Sequence, residues 1–407
     1  MIYIVKKFIR FLTFLTWEII FAVSYFIPKN KNIWIFGALN GEKYVDNSKH
    51  LFEYVSKNHP EIRAIWTTKN RSALNFIRNQ GFEAYGYFSI RAILLTMRAE
   101  YSIVSHQLMD IPAFAAARIK SVVLWHGTPL KKIGFDDKKT VSYQSLSRKI
   151  STKLFHFFRA NYKESILFCT SDNLINLFSQ SHQIPKERIF ATGYPRNDVF
   201  FHPPKKGIPI TRKLNSYKEE KYKIAVYMPT HRKFGQINIC NFLKESISQI
   251  NENLKKLNSI LLVKLHFFHL KELKDQNQNY TNIIFITDED INQDIYPILP
   301  QTDLLITDYS SIFFDYLLLN KPIIFAPFDK EDYLENDRDF YFDYDKITPG
   351  PKAMDWDEVL NQIRILTNNP DLYKIEREKI RNEFNKFTDG NSSKRIFERI
   401  IAQNPTP

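Results

Sequence analysis

Short apolar runs rich in Val, Ile and Phe alternate with stretches of helical periodicity along most of the chain, and the alternation runs twice. In the first set, strands are expected at Ile33–Phe36, Ala64–Thr67, Tyr101–Val104, Ser121–Trp125, Ile166–Thr170 and Arg188–Ala191. Helices are expected between them at Asn47–Lys57, Arg71–Asn79, Ser89–Ala99, around 145–160 and at Asp172–Gln180. Pro203–Gly207 and the polar run Ser216–Lys221 then read as a linker. The second set has strands at Lys223–Met228, Ser259–Leu265, Ile283–Ile286, Asp303–Thr307 and Pro322–Ala326. Its helices are expected at Cys240–Lys256, Gln293–Leu299 and Ser311–Leu319, with three more around 355–366, 370–387 and 391–402 closing the chain. Strand-helix alternation of this kind builds parallel, doubly wound sheets. At 407 residues the chain is too long for one such core, so the expected fold is α/β with two parallel-sheet domains facing a cleft. The expected division is 1–30, an N-terminal segment; 31–210 and 211–390, the two domains; and 391–407, a closing helix and tail.

In open parallel sheets, ligands bind beyond the carboxyl ends of the strands, so the residues that leave each strand carry the functional signal. The stretch SVVLWHGTPLKKIGFDD, Ser121–Asp137, is the strongest case. Gly127 and Pro129 end its strand, which places His126, an ionisable ring, at the exit, with Lys131 and Lys132 close behind. Asp308, Tyr309, Ser310 and Ser311 follow another strand and lead into a helix. The free N–H groups at that helix start suit a phosphate, with the two serine hydroxyls as further donors, although an ordinary capped helix has the same pattern. Lys264 and His266 end the strand in VKLH, and Arg232 follows the strand in YMPTHR, where a guanidinium fork suits bidentate phosphate binding. A metal pair of His266 and His269 is disfavoured because no carboxylate is suitably spaced. In GYPRND, Arg196 and Asp198 either line the cleft or pair with each other. There is no P-loop, no GxGxxG and no GxSxG elbow, which argues against P-loop NTPases, simple dinucleotide enzymes and α/β-hydrolases.

Lys and Arg total 57 against 44 Asp and Glu, a net +13 that favours anionic partners: phosphates, polyanionic polymers, nucleic acid or an acidic membrane. The apolar N-terminal stretch from Phe11 to Ile27 is seventeen residues long and contains Glu18, short for a spanning helix, which needs about 20 apolar residues. Lys6, Arg10, Thr13, Trp17 and Ser24 fall near one helical stripe, with Lys7 nearby and apolar residues elsewhere. That pattern suits a helix lying in an anionic membrane interface, with a single span and a helix buried on the first domain as the alternatives. Cys169 and Cys240 form no CxxC or zinc spacing, so a reducing cytoplasm and no structural metal are expected.

Taken in order, WHGTPLKKIGFD, TGYPRND, YMPTHR, VKLH, TDLLITDYSSIFFDYLLLNKPIIF and the PGP at Pro349–Pro351 resemble the CDP-glycerol glycerophosphotransferase family of teichoic acid and capsule synthesis. The resemblance covers roughly residues 30 to 390. It implies a GT-B architecture, with the acceptor on the first domain and the CDP-linked donor mainly on the second. It makes His126 and His266 the catalytic pair, and Arg232, Lys264, Ser310 and Ser311 the donor-phosphate contacts. Gly127, Lys131, Lys132, Arg196, Asp198 and Asp308 become acceptor or cleft contacts. The implied reaction transfers glycerol phosphate from CDP-glycerol to a hydroxyl of a lipid-linked anionic glycan and releases CMP; no cofactor, no metal-ligating residues and no nucleic-acid partner are expected, and a metal requirement is left open. The expected location is the cytoplasmic face of the membrane, peripherally bound. A CDP-ribitol donor and a GT-B glycosyltransferase using a nucleotide sugar are the alternatives.

Overall fold

The structure is a computed structural model that describes residues 2–138, 164–203, 207–230, 239–265, 280–336 and 339–403. These divide into two compact units. The first holds residues 2–126, 164–196 and 391–403, and the second the described residues of 127–138 and 197–390.

In the first unit, β1 (Asn30–Gly37), β2 (Arg63–Thr68), β3 (Ala84–Gly86), β4 (Ala99–Val104), β5 (Lys120–Val123), β6 (Ile166–Cys169) and β7 (Ile189–Ala191) form one sheet. Its order is β3-β2-β1-β4-β5-β6-β7 and every pairing is parallel. The topological switch falls between β1 and β4, because β2 and β3 build outward on one side and β4 to β7 on the other. One face of the sheet carries an aromatic core of Trp34, Phe36, Phe52, Trp66 and Tyr101. The closing helix Ser392–Ala402 belongs to this unit and adds Ile396, Phe397 and Ile400 to the same core. The Phe397 ring lies 5.6 Å from Trp34 and 3.5 Å from the His59 ring, so well over 300 residues of sequence separation are bridged by aromatic packing.

In the second unit, β8 (Lys223–Tyr227), β9 (Ser259–Val263), β10 (Ile283–Phe285), β11 (Leu304–Thr307) and β12 (Ile323–Phe325) pair in parallel in the order β10-β9-β8-β11-β12. The PGP segment runs along β12, where the Phe325 amide donates to Pro351 O at 2.9 Å. A side chain at Gly350 would put its Cβ 2.1 Å from Ile323 O, so only glycine permits that approach.

Several local expectations change. The strand Ala84–Gly86 has no apolar run long enough to announce it, and pairing with β2 makes it a strand. The polar run taken as linker is largely the helix Thr211–Glu219, anchored by buried Leu214. Pro297 and Pro300 replace the helix expected at Gln293–Leu299 by a 3-10 turn, Tyr296–Gln301, because proline supplies no amide to an α-helical ladder. The helix expected around 145–160 lies outside the described residues.

The N-terminal helix runs Ile2–Phe26. Trp17, Ile20 and Ile27 pack on Tyr87, Met97 and Phe114, and the Trp17 ring stacks on Phe114 at 5.2 Å. Ser24 is fully buried and its Oγ accepts the Ala117 amide at 3.2 Å. Trp17 and Ser24 therefore belong to a docking face and not to a polar stripe. Leu12, Leu15, Ile19, Val23 and Phe26, at the same helical spacing on another face, are exposed. Among the described residues no helix is long and apolar enough to cross a membrane.

The aromatic bridge to the closing helix makes a stability prediction. Phe397→Ala removes a ring that is 7% exposed, and about 3 kcal/mol of unfolding free energy should go with it. Equilibrium denaturation followed by Trp fluorescence reads this directly, and an unchanged midpoint would show that the helix adds nothing to the core.

Candidate active site

Parallel pairing brings the carboxyl ends of β1, β4 and β5 to one edge of the first sheet, side by side. His106 stands two residues beyond the end of β4 and His126 three beyond β5. The two imidazoles stack, centroids 4.1 Å apart and planes 10° from parallel. His126 reaches that position through a backbone reversal: Trp125 adopts φ 56°, a left-handed conformation that costs a bulky residue roughly 1 kcal/mol, and Gly127 follows at φ 138°. The reversal is held from several sides. Asn47 Nδ2 donates to Trp125 O at 2.8 Å, and the Trp125 ring lies 4.3 Å from His182 and 6.0 Å from Phe178. Arg196 is nearly buried, pairs with Asp46 at 2.8 Å and donates to His126 O at 3.0 Å. Its guanidinium thus fixes the backbone that carries His126.

His126 is half-buried as a residue, with Nδ1 fully covered and without a hydrogen-bond partner among the described residues. An imidazolium would bury an unsatisfied N–H there, so the neutral ring is favoured. Burial holds its pKa well below the usual 6.5, and the neighbouring His106, Arg196 and His182 push the same way. A hydrogen bond to the Ser105 backbone opposes them. Behind His106, Asp110 is fully buried, and its carboxylate accepts the amides of Asn40 at 2.7 Å and His106 at 2.9 Å. Burial pushes the Asp110 carboxyl up, against the pull of His106 and those amides.

In the second unit, β9, β8 and β11 are neighbours, so the loops after Val263, Tyr227 and Thr307 leave one edge together. Lys264 Nζ pairs with Asp288 at 2.8 Å. Asp308 is fully buried and organises its loop, its Oδ1 accepting the Thr230 amide at 2.8 Å. Tyr344 Oη donates to Asp308 O at 3.0 Å from below. Ser310 and Ser311 are half-buried, and their hydroxyls make no hydrogen bond among the described residues. The α-helix that follows is only five residues, Ile312–Tyr316, continued as a 3-10 turn, so its dipole is short and the hydroxyls and free amides are the stronger donors. Lys132 pairs with Asp339 at 3.7 Å, and Lys131 Nζ lies 5.8 Å from the Tyr333 ring centre. Asp198 sits in the 3-10 helix Pro195–Phe200. His266, Arg232 and His269 lie outside the described residues. Among the described residues no cluster of three or more His, Cys, Asp or Glu is placed to hold a metal ion.

Comparison with known proteins decides the family. The family described as CDP-Glycerol:Poly(glycerophosphate) glycerophosphotransferase matches residues 19–402. The chain belongs to that family. This transferase is 27% identical to the teichoic acid glycerol-phosphate transferase of Staphylococcus aureus over 98% of both chains. It is 28% identical to the teichoic acid poly(glycerol phosphate) polymerase of Bacillus spizizenii, over 95% of this chain and 96% of that one. The solved wall teichoic acid polymerase TagF has the same fold at TM-score 0.77 and 20% identity, covering 98% of this chain and 97% of that chain. Two parallel α/β units with GT-B-like neighbours are therefore the architecture of a glycerophosphotransferase.

Reading the transferase's sequence for strand exits located His126, Ser310 and Ser311 but passed over His106 and Asp110, although VSHQLMD obeys the same rule as SVVLWH. Asp46 and Asn47 carried no local signal, because their roles depend on Trp125, Arg196 and the chain brought against them.

The depressed His126 pKa has a measurable consequence for stability. As pH falls below about 6.5, the unfolded chain binds a proton on His126 that the folded protein refuses, so folding stability declines toward acid. His126→Asn should remove that share of the decline. Denaturation midpoints of the two proteins at pH 7.5 and 5.5 measure the difference, and parallel pH slopes would contradict a neutral buried His126.

Proposed function

We propose that the transferase moves glycerol phosphate from CDP-glycerol to a hydroxyl of a membrane-linked, teichoic-acid-like acceptor, with His126 as the general base. The observation that carries the base assignment is the His126 ring, at a strand exit and buried so as to favour its neutral form. His126 takes the acceptor proton, the acceptor oxygen forms a bond to the glycerol-bearing phosphorus, and the bond from that phosphorus to the CMP oxygen breaks. CMP leaves with the electron pair. Ser310, Ser311 and the amides beside them are assigned to the donor phosphates, supported by hydroxyls that make no hydrogen bond within the described chain. The resemblance adds His266 and Arg232 as further contacts to the transferring and leaving phosphates, with Lys264 drawn from Asp288 when a phosphate competes for it. Lys131, Lys132 and the remainder of the basic excess favour an anionic acceptor.

A buried base of low pKa is always ready but intrinsically weak. Arrival of an anionic donor and acceptor places negative charge near the ring and raises its basicity when it is needed. The acid limb of kcat/KM, which reports the free enzyme, should therefore lie below pH 6.5, and that of kcat, which reports the complex, at higher pH. CMP and UDP release from CDP-glycerol, CDP-ribitol and UDP-sugars, measured with a lipid-linked acceptor, tests donor class. CMP from CDP-glycerol is the expected result, and UDP release without it would make the protein a nucleotide-sugar transferase instead. His126→Ala should lower turnover about 10²–10⁴-fold with donor binding retained, and unchanged turnover rejects the base.

The proposed location is the cytoplasmic membrane surface. Leu12, Leu15, Ile19, Val23 and Phe26 form an exposed apolar stripe, and Phe88, Ile90 and Leu94 are exposed close to where the helix docks. Serine at Leu12, Leu15 and Ile19 together should release the protein from sedimenting anionic vesicles. Equal sedimentation of the variant and the parent would remove this stripe as the anchor.

A further inference from the structure

The histidine pair contains one ring that the transfer reaction does not yet use. We propose that His106 is a positioning residue for His126: through the stack, and anchored by Asp110, it sets the orientation of the base and opposes a positive charge on it. The inference rests on the reading of His126 as base.

Adjacent parallel strands supply the juxtaposition, since β4 and β5 pair in register from Tyr101 opposite Lys120 to Val104 opposite Val123. Whatever follows Val104 and Val123 therefore leaves the sheet side by side. The His106 loop is then pinned at three points. Ser105 Oγ meets Ser48 Oγ at 2.8 Å and accepts the Ser48 amide at 3.0 Å. The Asp110 carboxylate binds the amides of His106 and Asn40. The Asp110 carbonyl presses on β1 where Gly37 lies, and a Cβ at Gly37 would come within 2.1 Å of it. A ring on so constrained a loop, lying flat against His126, blocks rotation of the base about its side-chain bonds.

The same contact couples the two rings electrically. A ring 4.1 Å away and nearly parallel opposes a positive charge on His126. Asp110 Oδ2 lies 3.9 Å from His106 Nδ1. The other groups facing His126 are His182 across the Trp125 ring and Arg196, itself paired with Asp46. None of them stacks on His126, so His106 is the neighbour whose removal isolates the effect. His106 keeps 26% of its side chain in solvent.

The test uses His106→Phe, which keeps a flat ring in the stack but cannot titrate, and His106→Ala, which removes both functions. Both are accepted only with a parental circular dichroism spectrum and thermal midpoint. Titration of histidine ¹³Cε1 signals, with His126 assigned from the His126→Asn spectrum, gives the protonation of the base independently of activity. In His106→Phe the His126 midpoint should move up, because the repulsion from the neighbouring imidazole is gone. In His106→Ala, kcat for CMP release should fall about 10–10²-fold at unchanged donor KM, and His106→Phe should restore most of it. A parental His126 midpoint in His106→Phe, or full kcat in His106→Ala, overturns the inference and leaves the base in place. Parental turnover in His126→Ala instead removes the base itself, and with it the role assigned to His106.

Discussion

Parallel strand pairing is the constraint on which each unit's candidate groups depend. It turns every carboxyl end of a sheet toward the same edge, so residues far apart in sequence leave the sheet as neighbours if their strands pair. In the first unit this sets His106 and His126 side by side across twenty residues of chain, and in the second it gathers the loops after β8, β9 and β11. The hydrogen bonds that stabilise the sheets thus also fix the chemistry at their rims. To this the first unit adds the reversal at Trp125 and the groups that hold it.

How much of this was legible follows the range of each interaction. Strand exits are local events: an apolar run ended by Gly in Val122–Gly127, or by Asp and Ser in Leu304–Ser311, is visible in the sequence, and both exits lie where expected. Strand order is not local. Nothing in VSHQLMD says that its strand neighbours the one ending at Val123, so the stacked partner of His126 was invisible although each histidine stood in plain view. The pairing of Arg196 with Asp46 and the donation from Asn47 to Trp125 were hidden for the same reason. Proline at 297 and 300 overruled a helical pattern, and a polar run became a helix because one leucine, Leu214, gave it a buried side. The N-terminal helix was misread in one respect: helical spacing grouped Trp17 and Ser24 with the charged residues, while in the fold a buried hydroxyl has an amide to bind and an indole a phenyl ring to stack on.

Buried carboxylates in both units are satisfied by the chain: Asp110 receives the amides of Asn40 and His106 in the first, and Asp315 receives Asn197 Nδ2 at 2.8 Å and Tyr296 Oη at 2.7 Å in the second. Such groups rigidify a loop because every alternative position leaves a charge unpaired. His126 is left with a covered nitrogen, Nδ1, that has no hydrogen-bond partner among the described residues. Ser48, Asn47 and Ser105 lie on the elements around it, the two serine hydroxyls bonded to each other and Asn47 bonded to Trp125 O and the Arg196 amide.

That distribution costs the free protein stability at acid pH and strain at Trp125, and both costs fall on one strand exit. The neighbouring exits differ: β1 leaves through Gly37, with Leu39 and Asn40 just beyond it also left-handed at φ 48° and 55°, and β4 leaves through Ser105, hydrogen-bonded to Ser48. On the proposed assignment of His126 as base, an anion entering such a site relieves the unfavourable electrostatics that the fold maintains in its absence, so binding energy is converted into basicity at that ring.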